Sequence, residues 1–215
     1  MAPLPVADVF AAAAACARAA GAHYVAGDIG PIGALLRPLG TLSFDEAYDL
    51  FAEEVRAGVN AGVDLFIIET MTDLAEIKAA VLACRENSDL PVFATMTFEE
   101  DGRTFLGTSP EVAAITLDAI GADVLGINCS QGPAELRGLA ARMLTVTDKP
   151  VMVQANAGLP HVDDDGNTVF DIQAPEYAVA VAGMIEDGVS VVGGCCGTTP
   201  AHMAALRTLI DNHTP

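Results

Sequence analysis

Basic residues are scarce in this chain. Its 215 residues include only 10 Lys and Arg against 29 Asp and Glu, which gives a formal net charge of −19 at pH 7. A surface of that charge repels phosphate backbones and anionic membrane surfaces, and no local cluster of Lys and Arg offsets it. We therefore expect neither nucleic acid nor a membrane as a partner.

Long apolar runs and a disulfide-type arrangement of cysteines are also missing. The alanine-rich helical stretch at 10–20 covers only about three turns and contains Arg18, so it predicts neither a signal sequence nor a membrane span. Five cysteines are too few and too irregularly spaced for a disulfide scaffold, which favours a reducing compartment. We expect a soluble, cytoplasmic protein in which Cys16 and Cys84 are small, buried helical residues.

What the chain does contain is a regular alternation of strands and helices. Short apolar stretches predict buried strands at 24–28, 65–69, 92–97, 124–128, 151–155 and 189–193. A helical period predicts helices at 6–20, 45–61, 73–86, 110–120, 133–145, 175–187 and 200–210. With 52% hydrophobic residues, a chain of this length suits a single α/β domain over residues 1–215.

The repeated strand–helix units favour a parallel sheet of the TIM-type (β/α) barrel kind. A closed barrel of this type has eight strands and typically about 250 residues. Because only six strands are predicted, we expect an incomplete barrel with six of the eight strands. An open, doubly wound sheet is the alternative, but no Gly-x-Gly-x-x-Gly fingerprint follows any of the predicted strands.

Three cysteines lie just beyond the carboxyl ends of predicted strands. Cys129 follows the strand at 124–128, whereas Cys195 and Cys196 follow the strand at 189–193. The carboxyl ends of parallel strands are where α/β folds place their chemistry, so the three thiols can converge. Three thiolates with an open fourth position form a chemically sensible zinc site. Buried thiols in loops are the alternative.

Smaller features predict turns and an exposed histidine. The acidic runs at 99–102 and 163–166 have the composition of hairpin-type turns and lack the regular ligand spacing of a calcium loop. His202 falls in the first turn of a predicted helix, where we expect it to be exposed and not bound to metal.

Several motifs resemble those of a known enzyme family. Gly-Ile-Asn-Cys-Ser at 126–130 and Gly-Gly-Cys-Cys-Gly-Thr-Thr-Pro at 193–200 resemble the zinc-binding signatures of homocysteine S-methyltransferases. Phe-Ile-Ile-Glu-Thr at 66–70, Gly-Arg-Thr-Phe-Leu-Gly-Thr at 102–108 and Asn-Ala-Gly-Leu-Pro at 156–160 are most similar to the homocysteine-binding domain of cobalamin-dependent methionine synthase. The motifs occur in the same order as in the family and with natural spacing between them. The resemblance covers residues from about 25 to about 209.

The resemblance implies a ligand set and two substrate-binding residues. Cys129, Cys195 and Cys196 would hold Zn²⁺, and Glu69 would hold the amino group of homocysteine through a charge-assisted hydrogen bond. Asn156 would lie beside the metal, as an oxygen ligand when substrate is absent, although its amide can instead cap a turn. Glu69 can alternatively be a solvated or structurally paired carboxylate.

The implied activity is transfer of a methyl group to the thiolate of homocysteine, giving methionine. A free thiol has a pKa of about 8.5, whereas a zinc-bound thiol is deprotonated at neutral pH. The resemblance favours methylcobalamin, held on a separate cobalamin- or folate-binding domain or protein, as the donor. S-methylmethionine, S-adenosylmethionine and betaine are alternatives, because the chain has no recognisable site for cobalamin, folate or an adenosyl group.

The resemblance also predicts a missing segment. Members of the family begin with a strand that bears an Asp-Gly motif, followed by a helix and a second strand, and no such segment precedes residue 24 here. We therefore expect an N-terminally truncated domain without the first two barrel strands. A second chain, self-association or a natural truncation would account for this. The alternative function is a non-catalytic, zinc-binding remnant or subunit that needs a partner chain to complete the barrel.

Overall fold

A computed structural model describes residues 4–129, 131–163 and 165–213. The helices are α1 Val6–Ala19, α2 Phe44–Ala61, α3 Leu74–Asn87, α4 Pro110–Ala119, α5 Pro133–Leu144, α6 Ala174–Glu186 and α7 Pro200–His213. The strands are β1 Ala26–Ile29, β2 Leu65–Met71, β3 Val92–Met96, β4 Val124–Asn128, β5 Val151–Ala155, β6 Pro160–Val162, β7 Thr168–Phe170 and β8 Val191–Gly194.

The six predicted strands and seven predicted helices are all present. Their ends differ from the predicted ends by at most three residues, and β4 and β5 coincide with the predictions. Within the described residues, no helix is long and apolar enough to cross a membrane. The chain forms two compact units, one from residues up to 95 together with 116–123, the other from 96–115 and 124 onward.

The first unit carries β1, β2 and most of β3, which lie in that order. β1 and β2 are parallel, with Ala26 opposite Leu65 and Ile29 opposite Ile68, and α2 packs against α1 and α3. Two glycines make room for the buried ring of Phe66. A Cβ at Gly27 or Gly58 would lie 2.8 or 2.7 Å from Phe66 Cε1, so only glycine allows this packing.

Local signals explain where α2 begins and ends. Ser43 and Glu46 form a capping box at its start, because the Ser43 hydroxyl accepts from the Glu46 amide and the Glu46 carboxylate accepts from the Ser43 amide. The helix ends at Gly62, whose φ of 76° is in the left-handed region that glycine adopts without strain.

Two cysteines expected to be buried in helices behave differently. Cys84 in α3 is fully buried, as predicted, but Cys16 in α1 is exposed. The reason is that α1 buries only Ala14, so its alanine-rich face does not form an enclosed core. The expectation for Cys16 was therefore wrong.

The second unit carries β4, β5 and β8, which lie in that order and are parallel. Asn128 lies opposite Gln154, and Ala155 lies opposite Gly194, so the carboxyl ends of the three strands are level. β6 and β7 form an antiparallel hairpin at the predicted acidic turn, within which Asp164 lies outside the described residues. The Asp163 carboxylate closes this turn by accepting from the Asn167 amide at 2.8 Å.

Glu54 is a half-buried carboxyl group of the first unit. Its Oε2 atom is buried and has no hydrogen-bond partner among the described residues. Burial, together with the negative charges of Asp28 and Glu53, raises the pKa of Glu54 from its ordinary value of 4.5 to about 7. The folded chain therefore holds this proton more tightly than the unfolded chain does.

Replacing Glu54 with Gln should stabilise the protein at pH 7 and above. The native state binds more protons than the unfolded state between pH 4.5 and about 7, so stability falls as the pH rises through this window. Since the group is partly solvated, we expect Glu54→Gln to recover only about 1–2 kcal/mol above pH 7, and almost nothing below pH 4. Urea denaturation across this pH range measures the difference.

Asp49→Asn is the matched control, because Asp49 is an exposed carboxylate on the same helix and is not among the charges that raise the pKa of Glu54. It should change stability by no more than about 0.5 kcal/mol at any pH. A Glu54→Gln variant whose advantage is the same at pH 4 and pH 8 would show that Glu54 titrates normally.

Candidate metal centre

Three cysteine thiols of the second unit meet at one edge of its sheet. Cys129 follows β4, and Cys195 and Cys196 follow β8, with β5 between these two strands. Their sulfur atoms all lie within 4.8 Å of one another, and the Cys129 and Cys196 sulfurs are 3.8 Å apart. The structure thus brings together the three residues predicted as metal ligands.

The spacing of the sulfurs suits a thiolate-bound metal ion. Tetrahedral ligands at the usual Zn–S distance of about 2.3 Å lie about 3.8 Å from one another. The 3.8 Å separation of Cys129 and Cys196 equals this value, whereas a disulfide would require about 2.05 Å. Cys129 and Cys195 are half-buried and Cys196 is exposed, so the cluster is reachable from solvent.

The backbone at Cys129 takes an unusual conformation. Its φ is 63°, in the left-handed region that residues with a side chain rarely adopt. Hydrogen bonds on both sides hold it there, since the Cys129 amide donates to Gln154 O at 3.0 Å and its carbonyl accepts from the Gln131 amide at 2.7 Å. Ser130, which belongs to the same predicted signature, lies outside the described residues.

The segment carrying Cys195 and Cys196 is fastened to the end of β5. The Cys195 amide donates to Ala155 O at 2.8 Å, and the Ala157 amide donates to Cys196 O at 2.9 Å. The Thr198 hydroxyl closes the turn by donating to Cys195 O at 2.7 Å. These bonds fix two adjacent cysteines on a turn that presents both thiols to Cys129.

Crowding of the thiols makes their ionisation unfavourable without a cation. The hydrogen bond with Cys129, followed by burial and the charge of Cys129, raises the pKa of Cys195. Burial and then the Cys129 charge raise the pKa of Cys196. A bound divalent cation reverses this effect, because it stabilises each thiolate directly. The donor set therefore favours a soft metal ion such as Zn²⁺.

The two predicted substrate-binding residues lie in different units. Glu69 is a half-buried residue of β2, in the first unit, and is followed by Thr70, whose φ is also 63°. Asn156 follows β5 in the second unit, is 3% exposed, and its Oδ1 accepts from the Cys196 amide at 3.0 Å. Asn156 thus caps the cysteine turn, and the substrate-binding roles of both residues stay predictions.

Two supporting residues are not apparent from sequence. Tyr177 of α6 is fully buried, and its hydroxyl lies 3.0 Å from Ala155 O and 2.7 Å from Gly193 O, at the ends of β5 and β8. His202 is 8% exposed, so the expectation of an exposed side chain was wrong. Its Nδ1 lies 3.2 Å from the Thr199 amide nitrogen at the start of α7. The spacing of three residues between Thr199 and His202 is the one sequence signal that could have indicated this capping contact.

With this geometry, comparison with known proteins identifies the class. The sequence profile of the family described as "Homocysteine S-methyltransferase" matches residues 5–210. The chain belongs to this family.

Methionine synthases are among its relatives. Over 196 residues the chain is 37% identical to methionine synthase of Mycobacterium tuberculosis. The matched region covers 88% of this chain but only 16% of that protein. It is 38% identical over 194 residues to methionine synthase of Mycobacterium leprae, covering 87% of this chain and again 16% of that protein. The chain therefore spans about a sixth of the length of these relatives.

Solved structures confirm the fold. The apo form of the homocysteine methyltransferase MmuM from Escherichia coli matches with a TM-score of 0.78 and 22% identity, over 97% of this chain and 77% of that one. The metallated form matches with a TM-score of 0.70 and 25% identity, over 92% of this chain and 65% of that one. The predicted TIM-type α/β fold, with six parallel barrel strands in the described residues, is confirmed.

Gly126 should be indispensable for the position of Cys129. A Cβ at this residue of β4 would lie 1.9 Å from Met152 O, in the backbone of the neighbouring strand β5, so the clash can be relieved only by a shift of one strand. We expect Gly126→Ala to destabilise the protein by about 1–3 kcal/mol and to reduce metal binding. Urea denaturation and metal content after dialysis measure the two effects.

Gly138→Ala provides the matched control. Gly138 lies in α5, and a Cβ there would contact nothing within 4 Å, so the change should stabilise the helix by about 0.5–1 kcal/mol. If Gly126→Ala were as stable as Gly138→Ala, β4 and β5 would not approach as closely as described.

Proposed function

We propose that this chain, as a single domain over residues 1–215, is a zinc-dependent homocysteine S-methyltransferase that forms methionine. The observation that carries the proposal is the convergence of Cys129, Cys195 and Cys196 within 4.8 Å in a member of this family. The proposed metal is Zn²⁺, which fits a set of three soft sulfur ligands with an open fourth position. The existence of a metallated form of the related MmuM supports the proposal that this chain binds a metal ion.

The chemistry follows from the charges of the cysteines. Zn²⁺, when bound, would keep a substrate thiol deprotonated at neutral pH. Three anionic sulfurs from the chain offset the cationic charge, so a further sulfur bound there retains its nucleophilic character. In the transfer, the homocysteine sulfur forms a bond to the methyl carbon while the donor's bond to that carbon breaks. The electron pair of the broken bond stays with the donor, and the product is a neutral thioether.

Glu69 and Asn156 are the proposed substrate-binding residues. A carboxylate at the end of β2 can accept charge-assisted hydrogen bonds from the homocysteine ammonium group. Asn156 is proposed beside the metal because its amide oxygen already contacts the Cys196 amide. An amide oxygen has two lone pairs, so the bond from Cys196 leaves one for a metal ion or a substrate group.

Methylcobalamin, carried on another domain or protein, is the proposed methyl donor. The methionine synthases that resemble this chain are about six times longer than the matched region, which leaves ample sequence in those proteins for further domains. S-methylmethionine, S-adenosylmethionine and betaine are the alternative donors. The proposed location of the protein is the cytoplasm.

The first test of the proposal is zinc content. The purified chain should retain about one equivalent of zinc, and Cys195→Ala should lose it, because a soft site with one thiolate fewer binds the ion weakly. Metal analysis after dialysis, and release of a proton on addition of homocysteine, are the measurements.

Cys16→Ala is the matched control, since Cys16 is an exposed thiol on α1 that lies outside the cluster. It should leave zinc content and proton release unchanged. Zinc that survives Cys195→Ala, or an absence of zinc in the unaltered chain, would contradict the site. Zinc binding without any response to homocysteine would instead favour a non-catalytic remnant.

The second test concerns Glu69. Loss of a hydrogen bond to a charged group costs about 1.5–3 kcal/mol, so Glu69→Gln should raise the KM for homocysteine about 10- to 100-fold. Zinc content should not change, because the cysteines are untouched. The assay is methionine formation from homocysteine and methylcobalamin.

Glu53→Gln, which alters an exposed carboxylate on α2, should leave the KM for homocysteine unchanged. An unaltered KM in Glu69→Gln would remove Glu69 from the substrate site. Methionine formation with S-methylmethionine but not with methylcobalamin would overturn the proposed donor and leave the metal site standing.

A further inference from the structure

The turn that carries Cys195 and Cys196 belongs to a closed ring of hydrogen bonds. The Ala157 amide donates to Cys196 O at 2.9 Å, and the Ile172 amide donates to Ala157 O at 3.0 Å. His202 Nε2 lies 2.9 Å from Ile172 O, and His202 Nδ1 lies 3.2 Å from the Thr199 amide nitrogen. Thr199 follows Cys196 by three residues, so the covalent chain completes the ring.

The His202 side chain links two backbone groups of this ring, and its two nitrogens have opposite roles. A backbone amide can only donate, so Nδ1 must accept from Thr199 and carries no proton. A carbonyl can only accept, so Nε2 carries the proton and donates it to Ile172 O. The ring therefore defines the roles of both nitrogens, and the Thr199 hydroxyl also lies 2.9 Å from Nδ1. This leaves neither nitrogen for the metal.

Packing around the ring leaves little freedom for the cysteine turn. His202 is 8% exposed, and its ring meets Tyr177 edge to face with centroids 5.4 Å apart. Phe170, at the end of β7, lies directly over Gly197, where an added Cβ would approach Phe170 Cγ to 2.2 Å. The segment from Phe170 to Ile172 thus packs against the turn, and His202 joins this segment to Thr199.

We propose that His202 is a positioning residue of the metal centre, which holds the Cys195–Cys196 turn in its ligating geometry by linking Thr199 to Ile172. This inference rests on the proposed binding of a metal ion by the three cysteines. Hydrogen-bonded partners behind the ligands of a metal site typically change metal affinity 10- to 100-fold when they are removed. His202 has this effect through the backbone of the turn, without contacting the ion.

Substitution of His202 by Phe is the direct test. Phe retains the size and the aromatic contact with Tyr177 but neither accepts from Thr199 nor donates to Ile172. The zinc affinity of His202→Phe, measured by competition with a chromophoric chelator, should fall about 10- to 100-fold. Its cobalt(II) form should have an altered visible absorption spectrum, since that spectrum reports the geometry of the sulfur ligands.

His202→Gln provides a graded variant that is expected to fold. The Gln amide nitrogen can occupy the place of Nε2 and donate to Ile172 O, but the Thr199 amide loses its acceptor. Its zinc affinity should lie between those of the unaltered protein and His202→Phe, at least threefold below the former. This variant carries the test if His202→Phe does not fold.

Leu206→Ala is the matched control for general destabilisation. Leu206 lies one turn further along α7 and is 3% exposed, so its truncation should lower the melting temperature while removing none of the hydrogen bonds of the ring. Its zinc affinity and cobalt spectrum should be unchanged. A Leu206→Ala variant that weakened zinc binding as much as His202→Phe would overturn the positioning role, as would His202 variants with affinities within twofold of the unaltered protein.

The outcome for the unaltered chain separates this inference from the proposed function. Zinc binding that is abolished by Cys195→Ala but insensitive to every His202 variant would overturn the inference alone. A chain that binds no zinc at all would overturn both.

Discussion

The metal centre depends on one constraint, the level carboxyl ends of three adjacent parallel strands. β5 lies between β4 and β8, and the registers Asn128 with Gln154 and Ala155 with Gly194 bring the next residues to the same edge. Sulfurs from two strands that are not neighbours can then meet across the end of the third. Gly126, which allows β4 to approach the backbone of β5, is therefore as important to the site as the ligands are.

Three thiols this close together are unfavourable as free thiolates, and the fold holds them there with backbone hydrogen bonds. Cys129 adopts a left-handed φ, and both cysteines of the adjacent pair are bonded to the end of β5. Strain of this kind persists only where the surroundings impose it, and it occurs preferentially at functional sites. The arrangement is preorganised for a cation whose charge would offset the repulsion among the ligands.

The sequence predicted much of this fold because strand and helix signals agreed along the chain. β4 and β5 coincide with their predictions, since short apolar runs with β-branched residues, which begin after Asp123 and Pro150, leave little ambiguity. The three cysteines could be predicted as a cluster from their place after strands. The predictions of a buried Cys16 and an exposed His202 were wrong, because the burial of a helical residue depends on what packs against its face. Periodicity does not reveal this. The ring around His202 joins residues far apart in sequence, so no local pattern could have shown it.

The three clustered cysteines and the residues that hold them lie in one unit of the chain, so metal binding can be tested separately from substrate binding. The three cysteines and the residues that position them, from Gly126 to His202, lie in the second unit, whereas Glu69 lies in the first. The ligands are oriented by hydrogen bonds whose donors and acceptors are all in the second unit. Zinc affinity should therefore depend on the integrity of that unit. A chain that binds zinc without turning over substrate would accordingly have an intact metal centre, and the cause would have to be sought in substrate binding or in the supply of the methyl donor.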